Sequence, residues 1–231
     1  MVSQMLSGFT VECQNREFQR VGSMTTTAPA TIARPMPEPD FYSEAALIIM
    51  QKHDPKSIKS YQELLKAGLF ADACRWVAVQ LPVRHSVWWG LICVMDTKDG
   101  HLNRTLVNQL TQWVIEPTSA KQTQIMNESW LDTPGSALEY IAKAVSWTGS
   151  SMLPVHLPVT APNPEHVRRM IAAGIDLAAT GHGKLEPADA YRRFLDFATD
   201  VDNGKLHWEN TEASTPKAQQ TSRPQGLFPH Q

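Results

Sequence analysis

The sequence is short of the features that announce chemistry. It has three cysteines, Cys13, Cys74 and Cys93, in 231 residues. So small and odd a number does not make a disulfide framework, and none has a CxxC partner for redox or zinc work. They read as reduced thiols, two of them packed as small hydrophobes. Charge of one sign is also missing, since 21 basic residues face 23 acidic ones. A chain that grips a polyanion through its phosphates carries a basic excess, so nucleic acid is not expected as a partner. Long hydrophobic runs are absent as well. The longest, Val87 to Met95, is about half of the roughly 20 residues that cross a bilayer as a helix. Met1 to Phe9 has no early positive charge and no apolar run of signal-peptide length, and Glu12 and Glu17 argue against an organelle transit peptide. The expectation is a soluble cytoplasmic chain with no membrane contact.

Motifs that carry reactions are equally scarce. The eight histidines, His53, His85, His101, His156, His166, His182, His207 and His230, show no HxxxH or HExxH spacing. No Cys/His cluster has zinc-like spacing. No metal and no cofactor is therefore expected. There is no GxSxG elbow, and Ser146, Ser150 and Ser151 lack a nucleophile's flanks. Glu128, Asp132 and Glu139 read as surface or capping charges. Thr180-Gly181-His182-Gly183-Lys184 invites a phosphate-loop reading but fails it. Ala178 stands at the first glycine, Leu185 replaces the magnesium-binding Ser/Thr, and the segment follows a helix rather than a strand. A turn after a helix explains it better. Arg168-Arg169 and Arg192-Arg193 belong to the polar sides of two helices. No catalytic residue is assigned.

What is present is enough apolar sequence, 42%, to build a core. It is concentrated in the middle. Residues 1–39, rich in Thr, Ala and Pro, have neither strand nor helix periodicity and read as a flexible segment. Residues 209–231 read as a disordered tail. Between them, residues 40–208 carry helical periodicity punctuated by Pro, Gly and Asn/Asp clusters. Ser43 or Asp40, Ser57 and Ser136 are candidate caps. Pro82, Pro164 and Pro187 suit first turns, and Gly68, Gly181 and Gly204 suit stops. The segment 83–95 is apolar around most of its circumference, as a central buried helix is. The 119–131 segment is weaker, with Ile125, Met126, Trp130 and Leu131. Val155 to Val159 is too short and proline-rich for more than a stray edge strand. The prediction is an all-α fold of about eight short helices, as a bundle or as stacked antiparallel pairs.

Two segments stand out as candidate functional residues. In Leu81-Pro82-Val83-Arg84-His85-Ser86-Val87-Trp88-Trp89-Gly90, Arg84 and Trp88 are four apart, as are His85 and Trp89, so cation and ring can meet on one helix. Either Trp88 and Trp89 are core and Arg84 is fixed by a buried carboxylate, or Arg84 and His85 face a cleft or partner. In the tail, Arg223-Pro224-Gln225-Gly226-Leu227-Phe228-Pro229 places two large apolar residues in a soluble segment expected to be mobile. Such a peptide can dock in a groove and order on binding.

The run Gly68 to Ala73, followed by Leu81-Pro82-Val83-Arg84 and Val87-Trp88-Trp89, resembles an uncharacterised bacterial helical family with an LPxRxxVWW core, associated with type VI secretion clusters. His85 and Gly90 depart from the residues expected there. The resemblance implies an adaptor, chaperone or assembly factor and carries over no catalytic residue. The expected function is a non-catalytic protein-interaction module with a protein partner. The alternatives are an enzyme with a pocket near Arg84, His85 and Trp88, and a secreted effector.

Overall fold

Polar caps fix where the helices begin. The side-chain oxygens of Ser43, Ser57, Asn103, Thr118 and Ser136 each accept the amide N–H three residues on, worth about 1 kcal/mol apiece. Glu139, whose amide Ser136 caps, also accepts the Gly135 N–H on its carboxylate at 2.7 Å. Gly68 and Gly204 sit at φ 72°, the left-handed region that turns the chain out of the helices ending at Lys66 and Asp202.

The computed structural model describes residues 40–97, 101–130, 132–149 and 164–208. Among them lie nine helices and no strand: α1 (Glu44–Lys52), α2 (Ile58–Lys66), α3 (Phe70–Gln80), α4 (Val83–Asp96), α5 (Arg104–Ile115), α6 (Ser119–Ser129), α7 (Ala137–Ser146), α8 (Pro164–Thr180) and α9 (Pro187–Asp202). The fold is all-α. The helix beyond the eight expected is α6, whose apolar pattern is weak because only Ile125 and Ser129 of it are buried. Trp130, expected in that pattern, is instead 78% exposed. Val155 to Val159, both terminal segments and Cys13 lie outside the described residues.

α4 takes the central place that its all-round apolar sequence demands. It packs against α5, α7, α8 and α9, burying Ser86 to Leu91, Cys93 and Val94. Close approach of α4, α7 and α8 depends on two glycines around one side chain. A Cβ at Gly90 would stand 2.6 Å from Ile141 Cδ1, and one at Gly174 would stand 2.9 Å from the same atom and 3.0 Å from the Ala137 carbonyl oxygen. Helix propensity alone favours alanine over glycine by about 1 kcal/mol. Overpacking costs about 1–3 kcal/mol and wins where the neighbour cannot move. Gly90→Ala is therefore expected to destabilise the protein, and Ile141→Val, which deletes the offending methyl, to relieve it. Gly174→Ala should keep its cost in the Ile141→Val background, because the backbone oxygen remains. Urea denaturation of both double-mutant cycles measures the two couplings, and equal relief at the two glycines would contradict this packing.

Candidate functional site

The structure takes the four residues singled out at the start of α4 and ties each of them to another element. The Arg84 guanidinium donates to the carbonyls of Val114 and Ile115. These belong to the last turn of α5, whose carbonyls lack partners inside the helix, and a cation there also complements the helix dipole. Its guanidinium carbon lies 4.4 Å from the ring centroid of Trp208, so the aromatic partner is Trp208 rather than Trp88. The Trp88 indole N–H donates to the Leu206 carbonyl at 2.8 Å. Trp89, fully buried, donates to the Phe194 carbonyl on α9 at 2.7 Å. His85 meets Trp208 edge-on with ring centroids 5.1 Å apart. Its buried Nδ1 finds no hydrogen-bond partner among the described residues. Burial first, then His207 and Arg84, pushes the His85 pKa below the usual histidine value. Arg84, His85 and Trp88 thus clasp residues 206–208 against α4. Trp208, itself buried, carries no sequence signal beyond its size.

A second cluster joins four elements. Asp72 on α3 is 2% exposed and accepts from the Ser43 N–H at 2.9 Å and the Ser43 hydroxyl at 2.7 Å. Arg75 bridges Asp72 at 3.1 Å and Asp176 on α8 at 2.7 Å. The Tyr191 hydroxyl on α9 donates to the other Asp176 oxygen at 3.1 Å. Burial raises the Asp176 pKa although Arg75 and Tyr191 oppose it. Burial likewise raises the Tyr191 and Tyr42 hydroxyls, with Asp176 and Asp72 adding to it respectively. Beside this network is a hollow of about 340 Å³ that Arg75, Arg169, Tyr42 and Ser43 help to line. Nothing in the sequence spacing marks it, since Asp72 and Asp176 are about a hundred residues apart.

The remaining motifs resolve into local pairings. Arg168 meets Glu165, and Arg192 meets Asp189 while lying over Phe70. Arg169 lies over Phe41, and Arg193 donates through Nε and Nη2 to the two Asp96 carboxylate oxygens. His182, in the turn after α8, accepts the Lys184 and Leu185 N–H groups through Nδ1. Its Nε2 lies 3.5 Å from Asp96. Cys74 and Cys93 are buried free thiols, and burial lifts their pKa well above the usual thiol value, which makes them unreactive. Among the described residues no group of three or more His, Cys, Asp or Glu is placed to hold a metal ion. None of their helices is long and apolar enough to cross a membrane.

The larger hollow is a cleft of about 420 Å³ where four helix ends meet. Its apolar wall comes from Val94, Leu102, Leu138 and Leu177, and its polar rim includes Asp132 and Lys184. Leu177 is 38% exposed, and Trp130 stands two residues before Asp132. Glu128, on the last turn of α6, accepts from Asn103 at 3.2 Å, which joins α6 to the α5 end of the cleft. Arg84, His85 and Trp88 line neither hollow. Arg223, Leu227 and Phe228 lie outside the described residues.

The fold and these two hollows define an all-α domain built around one buried, tryptophan-bearing helix. Residues 60–202 match the model of a family described as Family of unknown function (DUF6931), and the chain belongs to that family. No curated protein and no solved structure matches it.

Proposed function

We propose that this protein is a non-catalytic protein-interaction module whose working surface is the cleft between α4, α5, α7 and α8. The observation that carries the reading is the exposure of Leu177 on the cleft wall, with Trp130, two residues before the cleft-lining Asp132 in the chain, exposed as well. Single exposed apolar residues are ordinary on a surface. An exposed leucine on an apolar concavity, rimmed by an ammonium and by a carboxylate that an exposed indole precedes in the chain, is the composition of a docking surface. The engagement of Arg84, Trp88 and Trp89 with backbone carbonyls of other elements supports the same reading, because it gives them packing work to do. The LPxRxxVWW resemblance adds a context, an adaptor, chaperone or accessory protein of a bacterial secretion system, type VI among them.

Affinity isolation of the tagged full chain from its own cells tests the reading. Leu177→Asp replaces a side chain already partly in water and leaves the melting temperature within a few degrees of wild type. It is expected to reduce recovery of a specific partner at least tenfold, and Trp130→Ser to reduce it to a smaller extent. Unchanged recovery with both variants would remove the cleft as the working surface.

A further inference from the structure

We infer that the cleft is a receptor for the chain's own segment Arg223 to Phe228, so that this protein occupies its interaction surface intramolecularly until a partner displaces the segment. This rests on the interaction reading above. Three observations point to that occupant. The first is chemistry. The cleft offers an apolar wall of Val94, Leu102, Leu138 and Leu177, with a carboxylate, Asp132, and an ammonium, Lys184, at its rim. The segment offers two adjacent large apolar side chains four residues after a cation, Arg223. Leucine and phenylalanine fit the wall, and Arg223 has Asp132 to meet, whose other oxygen is taken by the Ser136 hydroxyl at 2.6 Å.

The second is reach. Trp208 is held beside Arg84 and His85 in the first turn of α4, whereas Val94 and Thr97 at its far end line the cleft. At about 1.5 Å per residue these positions are roughly 15–20 Å apart along the helix axis. Eighteen residues, 209–226, separate Trp208 from Leu227. Fully extended, eighteen residues reach at most about 60–65 Å, well beyond that distance. A tether able to bridge its two sites holds the segment at a local concentration of about millimolar. The third is the anchor: Trp88 fixes Leu206 and Arg84 stacks on Trp208, so the tether starts from a held point on α4. A millimolar tether makes even a weak peptide the resident occupant, and one that a tighter external ligand can replace.

Hydrogen–deuterium exchange of the full chain tests this, read over segments 102–107 and 136–141, which carry the cleft residues Leu102, Asn103, Ser136, Ala137 and Leu138. Three forms are compared: wild type, Leu227→Asp/Phe228→Asp, and Leu177→Asp. Exchange at these amides is expected to be several-fold faster in both variants than in wild type. A synthetic peptide of residues 219–231 should restore slow exchange to the tail variant but not to Leu177→Asp. Protection in wild type should not change on tenfold dilution. Equal exchange in wild type and the tail variant overturns the inference, and so does protection that falls on dilution, which would make a second copy the occupant. Should the tail variant exchange like wild type while partner recovery still depends on Leu177, the interaction reading stands and only the intramolecular occupant falls. Should recovery be indifferent to Leu177 while the tail still protects the cleft, it is the partner reading that falls.

Discussion

Replacing Trp89 by alanine is expected to cost about 3–5 kcal/mol, measured as a lower urea midpoint at unchanged slope. The argument starts from burial. Trp89 is fully buried and heads the side chains with no solvent access, and its helix packs on four others. Deletion of the indole removes its apolar area and leaves a void that four surrounding helices cannot jointly close. It also takes away the donor to the Phe194 carbonyl. Domains of this kind have about 5–15 kcal/mol in hand, so the variant stands near the edge of folding. Trp89→Phe separates the two contributions. It keeps most of the buried area and loses the N–H, for about 1–2 kcal/mol. Trp130→Ala is the internal control, because a side chain 78% exposed should change stability by less than about 0.5 kcal/mol. Comparable losses at Trp89 and Trp130 would refute the assignment of one tryptophan to the core and the other to the surface.

The same contrast shows what the sequence could and could not tell. Helix starts were readable because a cap is local: Ser43, Ser57 and Ser136 lie three residues from the amides they accept. The central helix was readable because a segment apolar all round has only one comfortable place. α6 was faint because a helix that buries so little leaves no stripe to find. The i to i+4 spacing to Trp88 singles out Arg84 in the sequence. Its real partners, the last carbonyls of α5 and the ring of Trp208, arrive from about thirty residues and more than a hundred residues away. Side-chain spacing carries no information on which helix end will be delivered to a given guanidinium. The cleft is harder still, since each helix contributes only its end. A single exposed Leu177 in an otherwise regular stripe on α8 has no signature of its own.

The ionic cluster around Arg75 gives the second large effect. Arg75→Met is expected to lower stability by about 3 kcal/mol at pH 7. Breaking a buried ion pair by removing one partner costs about 3–5 kcal/mol, and the low end applies because the Arg75 side chain is 26% exposed. Methionine retains much of the stem's packing, so the loss measures charge rather than volume. Two carboxylates are then left facing each other across α3 and α8. Asp72 keeps the two Ser43 donors. Among the described residues Asp176 keeps only the Tyr191 hydroxyl and becomes the weak point. Its pKa is raised in the folded protein even with Arg75 in place, and removal of the cation raises it further. The sign of the pH dependence follows. A carboxyl whose folded pKa lies above its unfolded value binds more protons when folded, so its contribution to stability falls as pH rises through that window. The deficit of Arg75→Met relative to wild type should therefore shrink as pH is lowered from 7 towards 5. Asp176→Asn in the Arg75→Met background should recover part of the loss at pH 7 and flatten the pH dependence. A deficit that stays constant over this range, with no recovery from Asp176→Asn, would mean that Arg75 acts through packing alone and that the four-element charge network is not what joins α3 to α8.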